Sequence, residues 1–323
     1  MDMTRRAMLG AGAAFAFAPG ARAQADWPKR PVRLINPWTP GGPADTVARP
    51  LANRLSEALG QPVVVENRPG ANGTIGAAFV ARSAADGYTL FFSHVGPIAI
   101  SPKFSSGVPY DPQRDFAPIT QLVSGPIVLV VRPDVPATTV PELLALARAN
   151  PGQYAYGSVG PGSTTHLAGE MLAMMGKVEL LHVPYQGAAP VVTDLLGGRL
   201  HFAFLNFSGA LAQVQAGALR AIAVSTARRS PALPDLPTVA ETLPGFEVNS
   251  WYGVMAPAGT PRPIIDRLYR ECAAALRVPE IAAALRAQGF DIEATMPEEY
   301  ARKIADDLRR WGELARATGI RIN

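Results

Sequence analysis

The sequence predicts an α/β protein of two lobes, each built on a doubly wound sheet, and three observations lead to this fold class. Short apolar runs alternate with helical stretches from Pro31 onward, which is typical of parallel α/β architecture. A second series of the same kind begins at Ile127, and one late strand near 248–255 precedes three C-terminal helices. We therefore expect the chain to cross between the lobes near Ser124 and to return near Trp251. Two crossing strands form a hinge beside a cleft that can close.

The first series opens a doubly wound domain, because strands and helices alternate in it. We predict strands at 32–35, 62–66 and 88–92, and helices at 45–59 and 75–83. In the second series we predict strands at 127–131, 154–158, 180–183, 200–204 and 219–224, with helices between them. The late strand leads into helices at 263–276, 280–288 and 297–318. We place lobe 1 at 26–124 plus 251–323, and lobe 2 at 125–250.

The first 25 residues have the features of an export signal. Arg5 and Arg6 precede an apolar run at 7–18, and small residues flank candidate cleavage sites at 21–25. The run is shorter than the roughly 20 apolar residues that a membrane span requires. Residues 4–9 also resemble a twin-arginine signal. We therefore expect a soluble, exported, periplasmic protein, with a buried N-terminal helix as the alternative.

Composition excludes several classes of protein. The 323 residues are 48% hydrophobic and 17% charged, which is typical of a globular chain rather than a disordered one. The net charge is +4, but the arginines are scattered and form no basic stripe, so no nucleic-acid partner is expected. Cys272 is the single cysteine, which excludes an intrachain disulfide. We expect a monomer without a cofactor or a bound metal.

The first candidate binding loop joins the first predicted strand to the first helix. It lies at the carboxyl edge of the sheet, where open α/β sheets bind ligands. Gly41 and Gly42 let the backbone approach a ligand closely, and the amides at the helix start carry positive partial charge. Asp45 has a simpler interpretation as the helix N-cap, and Trp38 either packs on a ligand or shields the loop. The candidate residues are Trp38, Pro40, Gly41, Gly42, Pro43, Ala44 and Asp45.

The second candidate loop, at 156–166, occupies the same place in lobe 2. Three consecutive hydroxyl residues and three glycines crowd one helix start, whereas capping needs a single hydroxyl. Hydroxyls and free amides there can hold a carboxylate without Lys or Arg, which makes capture reversible. The candidates are Ser158, Ser163, Thr164, Thr165 and His166. Ser93, His94 and Tyr185 follow other strands at the same edge, where they either line the cleft or simply pack.

Catalytic patterns are sparse in this chain. It contains no HExxH zinc motif, no Gly-x-Ser-x-Gly elbow and no GxxxxGK[ST] phosphate loop. His166 and Glu170 are spaced to share a metal ion, but two ligands do not make a site. A hydrolase built on Ser163, His166 and Asp194 is the enzymatic alternative to a binding protein.

Short motifs in a fixed order then identify a family. They are Pro40-Gly41-Gly42 with Asp45, Glu66-Asn67-Arg68-Pro69-Gly70-Ala71, Asp86-Gly87-Tyr88-Thr89-Leu90, Tyr156-Gly157-Ser158, Gly162-Ser163, His166-Leu167-Ala168-Gly169-Glu170, His182-Val183-Pro184-Tyr185, Gly187-Ala188-Ala189-Pro190, Thr193-Asp194-Leu195-Leu196-Gly197-Gly198 and Trp251-Tyr252-Gly253. In these motifs the chain resembles the substrate-binding proteins of tripartite tricarboxylate transporters, the Bug or TctC type. The resemblance covers nearly the whole mature chain.

The resemblance implies a two-lobed periplasmic binding protein of type II-like architecture that is not an enzyme. Such a protein grips carboxylates through the loops after the first strand of each lobe, partly through water. It then delivers the small organic acid to one large and one small integral membrane subunit. By motif position, the implied cleft residues are Pro40, Gly41, Gly42, Asp45, Ser158, Ser163 and His166. A sensor that presents its closed form to a receptor kinase is the alternative.

The chain departs from the family pattern after Gly198. Family members commonly carry Asp where His201 and Leu205 stand, whereas Asn206 is retained as a candidate ligand-binding residue. If either Asp holds a ligand amine in those members, its loss predicts a ligand without an amine. The resemblance therefore favours an aromatic or dicarboxylic acid.

Overall fold

A computed structural model describes residues 27–231 and 233–318, so the predicted export signal lies outside the described residues. The strands are β1 (Val32–Asn36), β2 (Val63–Asn67), β3 (Thr89–His94), β4 (Phe116–Val131), β5 (Ala155–Ser158), β6 (Leu181–Pro184), β7 (Phe202–Asn206), β8 (Arg220–Val224), β9 (Asn249–Pro257) and β10 (Asp291–Ile292). The helices are α1 (Pro43–Leu59), α2 (Thr74–Ala81), α3 (Ser101–Phe104), α4 (Val140–Ala149), α5 (Thr164–Gly176), α6 (Ala188–Leu196), α7 (Phe207–Gln215), α8 (Arg262–Leu276), α9 (Pro279–Ala287) and α10 (Pro297–Thr318). No helix in this part of the chain combines the length and apolar character that crossing a membrane requires.

Two groups of parallel strands build the two lobes. In lobe 1, β1 pairs in parallel with β2 and β3, and in lobe 2, β5 pairs in parallel with β6 and β7. The antiparallel strands β9 and β4 lie between these groups, so the strand order is β2-β1-β3-β9-β4-β7-β5-β6. The predicted α/β fold with two lobes is therefore confirmed.

Strand β4 belongs to both lobes. It pairs with β9 as far as Pro126, and from Ile127 onward it pairs with β7 and β8. The sequence predicts only 127–131 as a strand, whereas β4 has 16 residues. Its first part contains Pro118 and shifts register twice against β9, and such irregularities obscure a strand pattern. The long pair β4 and β9 connects the lobes where the hinge is expected.

The apolar run at the end of β4 shows how the core of lobe 2 forms. Ile127, Leu129 and Val131 face one hydrophobic cluster, while Val128 and Val130 face another. Successive side chains of a strand point to opposite faces, so a run buried on both faces is continuously apolar. All of these side chains are fully buried. The sheet is therefore packed on both faces, and this packing holds the ends of its strands and the loops that follow them in place.

Candidate functional site

A cleft of about 740 Å³ lies between the lobes, and loops of both lobes line it. Lobe 1 contributes the loop from β1 to α1, the segment after β2, and residues around α3. Lobe 2 contributes the loops after β5, β6 and β7. The parallel strands of each lobe end at this edge, which is where ligands bind in open α/β sheets.

The structure brings ten of the sixteen predicted site residues to the wall of this cleft. They are Trp38, Gly42, Pro43, Ala44, His94, Ser163, Thr164, Thr165, Tyr185 and Asn206. The other six lie behind the wall or beside it rather than in it. They are Pro40, Gly41, Asp45, Ser93, Ser158 and His166. Most of the second group support the loops, as their hydrogen bonds show.

Helix α1 begins at the cleft without a side-chain cap. Its N-cap is Gly42, so Asp45 is not the N-cap that the sequence favours. Asp45 is buried instead, and its carboxylate accepts hydrogen bonds from the Gly41 amide at 2.7 Å and Asn36 Nδ2 at 2.9 Å. Arg49 Nε donates to the same carboxylate at 3.1 Å. Asp45 thus holds the loop from behind and leaves the amides of Gly42 and Ala44 at the cleft.

Helix α5 begins opposite, with Ser163 as its N-cap. The Ser163 hydroxyl donates to the Gly160 carbonyl at 2.7 Å and accepts from the His166 amide at 3.2 Å. Thr165 Oγ1 lies 2.9 Å from the same hydroxyl and accepts from the Val159 amide at 3.0 Å. A hydroxyl has one proton, so Thr165 must be the donor to Ser163. Both hydroxyl protons are therefore committed inside the loop.

Thr164 is the hydroxyl residue of this loop that is left for a ligand. It lines the cleft, is 3% exposed, and its hydroxyl makes no hydrogen bond to another part of the described chain. The amides of Thr164 and Thr165 also lie in the first turn of α5, where an N–H group has no helical carbonyl four residues earlier to donate to. One hydroxyl and two amides thus converge at the positive end of α5, which is an arrangement that binds anions.

A cluster of histidines supports α5 from behind. The rings of His166 and His182 stack with their centroids 4.1 Å apart, and His166 Nδ1 accepts from the Gly162 amide at 3.2 Å. His182 Nε2 lies 2.7 Å from Ser158 Oγ. Burial lowers the pKa of His166 from 6.5 to about 4, and burial and the neighbouring His166 lower that of His182 to about 4. Both rings are therefore neutral at neutral pH.

The floor of the cleft is aromatic. The ring of His94 lies between Trp38 and Tyr252, with centroid distances of 5.2 Å and 4.9 Å. His94 Nδ1 accepts from the Gly96 amide, so its Nε2 carries the proton and donates to Ser250 Oγ at 3.0 Å. Burial lowers the pKa of His94 to about 3, which keeps the ring neutral. The indole N–H of Trp38 is buried without a hydrogen-bond partner in the described chain.

The cleft carries no formal charge. Among the described residues that line it, none is Asp, Glu, Lys or Arg. Tyr185 lines it with a hydroxyl that donates to Asp194 at 2.7 Å, and burial together with this bond raises the pKa of Tyr185 to about 12. Asp194 is also paired with Arg199 at 2.9 Å. Positive potential in the cleft therefore comes from helix N-termini and neutral donors.

The contacts do not support the hydrolase arrangement. Ser163 bonds to the backbone amide of His166 and not to its ring, and the ring Nε2 faces Glu170 at 3.7 Å. Asp194 is engaged by Tyr185 and Arg199. Along 27–231 and 233–318, no group of three or more metal-ligating side chains comes together.

Sequence reasoning missed several residues of the cleft wall. Asn72, which is not among the predicted site residues, lines it from a turn at Ala71–Gly73. Residues 105–108 and 186–188 also contribute. Their place in the chain could have predicted them, because these segments follow strands, or flank loops, that end at the same edge of the sheet.

The two positions where family members commonly carry Asp do not line the cleft. His201 Nδ1 accepts from the Ala155 amide at 3.0 Å, and its ring packs on Tyr154. Leu205 is fully buried in the core of lobe 2. Of His201, Leu205 and Asn206, only Asn206 lines the cleft, and it lies at the end of β7. The expectation of an amine-free ligand therefore depends on the uncharged wall rather than on these two positions.

Comparisons with known proteins agree with this geometry. The family model described as "Tripartite tricarboxylate transporter family receptor" matches residues 47–320. Protein BugT of Bordetella pertussis is 37% identical over 325 residues, which cover 100% of both chains. A UPF0065 protein from the tcbD-tcbE intergenic region of Pseudomonas sp. (strain P51) is 39% identical over 97% of this chain and 94% of its own.

Solved structures give the same relationship. The Rpa4515 protein of R. palustris with adipate is 39% identical, with a TM-score of 0.86 over 91% of this chain and 99% of that one. MatC from Rhodopseudomonas palustris with bound malate is 30% identical, with a TM-score of 0.82 over 89% of this chain and 99% of that one.

Proposed function

Because the chain belongs to the tripartite tricarboxylate transporter receptor family, we propose that it captures an organic acid without an amino group and delivers it to a tripartite membrane transporter. The family consists of solute-binding proteins, which are not enzymes. The observation that carries the proposal is the uncharged cleft between two helix N-termini. The Thr164 hydroxyl and the first amides of α1 and α5 meet there.

A carboxylate fits this arrangement for electrostatic reasons. Each helix start contributes roughly half a positive charge, and hydrogen bonds from amides and a hydroxyl to an anion are about twice as strong as neutral ones. No arginine or lysine of the described chain lines the cleft, so the anion makes no permanent ion pair. Binding of this kind is reversible, which delivery to a transporter requires.

An ammonium group would lack a partner in the cleft. Asp45 and Asp194 stand just behind the wall, and each carboxylate already accepts from an arginine and a second donor. Moving a charged amine out of water without an opposite charge is costly. Proline, valine and aromatic side chains provide much of the remaining lining, so we expect a ligand body that is largely apolar. They include Pro37, Trp38, Pro69, Val108, Val159, Pro161 and Tyr252. An aromatic acid or an aliphatic diacid has this character.

Two related proteins support this class of ligand. Adipate is bound in the Rpa4515 structure and malate in the MatC structure, and neither acid carries an amine. Export to the periplasm and transfer to one large and one small membrane subunit follow from the family and from the N-terminal pattern, and they are part of the proposal.

Matched pairs of acids test the proposal directly. We expect glutarate to bind and glutamate not to bind, and 3-phenylpropionate to be preferred over phenylalanine. Adipate and malate complete the series. A ligand at about 100 times its Kd stabilises the folded protein by about 2.7 kcal/mol, which a thermal-shift assay detects and calorimetry confirms. Equal binding of the amine-bearing and amine-free partners contradicts the proposal, as does the absence of binding by every acid.

A further inference from the structure

Asn72 stands on the lobe 1 wall of the cleft and contacts the opposite wall. It belongs to the turn Ala71–Gly73 between β2 and α2. Its side-chain Nδ2 donates to Ser101 Oγ at 3.1 Å within lobe 1. The same atom donates to the Gly162 carbonyl of lobe 2 at 2.6 Å. One side-chain amide group therefore joins two loops that are 90 residues apart in the chain.

The lobe 1 side of this contact is pre-organised. Gly73 packs so closely that a Cβ there would lie 3.1 Å from Pro37 and 3.2 Å from Pro97. A Cβ at Gly96 would lie 3.2 Å from both Nδ2 and Oδ1 of Asn72, so the amide lies directly on that glycine. Asn72 has a φ of 52°, in the left-handed region that Asn tolerates better than most residues. The donor therefore has little freedom to turn away.

The lobe 2 side of the contact is the loop that begins α5. The Gly162 carbonyl accepts from Asn72, while the Gly162 amide donates to His166 Nδ1 at 3.2 Å. The next residue, Ser163, is the N-cap of α5. A bond to this carbonyl thus fixes the peptide that immediately precedes the proposed carboxylate-binding amides.

We propose that Asn72 is a positioning residue that latches the two walls together and favours the closed cleft. The covalent connection between the lobes runs through β4 and β9. Two strands that connect two lobes form a hinge about which the lobes can separate. The bond from Asn72 forms only when the two loops meet, so it stabilises the closed form and not the open one. A ligand that contacts both loops then binds to closed molecules that are already present before the ligand arrives.

Distance measurements without any ligand test the latch. Ala58 of α1 and Ala145 of α4 are exposed, one on each lobe, whereas Cys272 is buried and does not take a label. Spin labels at Ala58→Cys and Ala145→Cys report the separation of the lobes. Asn72→Gly removes the donor and accepts the positive φ, and Asn72→Asp keeps the shape without the N–H donor. One hydrogen bond corresponds to a change of roughly fivefold in the ratio of closed to open molecules.

We expect both variants to lose closed molecules, while Asn53→Asp, at an exposed position of α1, matches the wild type. Identical distance distributions for the wild type and Asn72→Gly overturn the proposal. A loss of thermal stability without a change in distance also overturns it, because a merely structural residue behaves in that way. The latch depends on no particular ligand, so its failure is separate from a failure of the acid-binding series.

Discussion

The two loops that face each other across the cleft use different means to present the start of a helix. The loop before α1 has a glycine N-cap and is held by a buried carboxylate, Asp45, with Arg49 beside it. The loop before α5 has a serine N-cap and is held by hydroxyls and neutral histidines. The same local geometry is thus built once with charge and once without it.

The difference has an electrostatic consequence for anion binding. Asp45 is an anion in the first turn of α1, and it offsets part of the positive potential at that helix start. No acidic residue occupies the first turn of α5, so its potential reaches the cleft undiminished. We therefore expect α5 to provide most of the affinity for a carboxylate, and α1 mainly a shaped backbone wall.

The largest expected effect is on the stability of the charged loop. Asp45→Ala removes an acceptor shared by Gly41, Asn36 and Arg49, and Asn36 is fully buried. An orphaned buried donor and lost hydrogen bonds to a charge should lower the free energy of unfolding by about 3 kcal/mol. Urea denaturation measures this value. As a control, Asp306→Ala at an exposed ion pair should change it by less than about 0.5 kcal/mol. If both substitutions lower the free energy of unfolding equally, Asp45 stabilises the protein no more than an exposed ion pair does.

The next effect concerns affinity in the uncharged loop. Thr164→Val keeps the shape but removes the free hydroxyl, so the best-binding acid should bind about 30-fold more weakly, or about 2 kcal/mol. Stability should hardly change. Ser163→Ala should instead lower stability by about 1 kcal/mol, because Ser163 caps α5. Calorimetric titration and urea denaturation of both variants separate these roles. If Thr164→Val binds like the wild type, the assignment of the free hydroxyl is wrong.

The effect that is smallest per pH unit is a pH dependence to which the histidine pair of lobe 2 contributes. His166 and His182 have folded-state pKa values of about 4, below the ordinary 6.5, so protons bind the unfolded chain more readily. Their contribution to stability is complete above pH 6.5 and is lost as the pH falls from 6.5 toward 4. Each histidine accounts for about 1.4 kcal/mol per pH unit in that window. Tyr156 and Glu170 are the other titratable groups that face the pair.

His182→Gln tests this dependence. It removes one of the titrating rings, so the slope of unfolding free energy against pH should fall by about 1.4 kcal/mol per unit between pH 6 and pH 4.5. His166, His94 and His201 also have lowered pKa values and continue to titrate in the variant, which keeps part of the slope. Urea denaturation across this range provides the measurement. An unchanged slope would show that His182 binds a proton as readily in the folded protein as in the unfolded chain.

Local pattern sufficed for most elements of the fold. Strands such as β1 and helices such as α10 were predicted to within two residues of their bounds, because apolar periodicity belongs to contiguous residues. The π-helical turn Gly96–Ile100 and the first part of β4 were missed. Their backbone is set by packing against distant strands rather than by local periodicity.

The α/β class and the two glycine- and hydroxyl-rich loops at strand ends are predictable from the sequence, since both depend on residues that are neighbours in the chain. Which hydroxyl is free depends on contacts that form only in the folded protein. Thr165 became a support because Val159 donates to it, and Thr164 was left at the cleft. Tertiary structure also brought Asn72 to Gly162 and left the wall without charge. These properties depend on contacts between segments far apart in the chain, and composition and spacing do not encode such contacts directly.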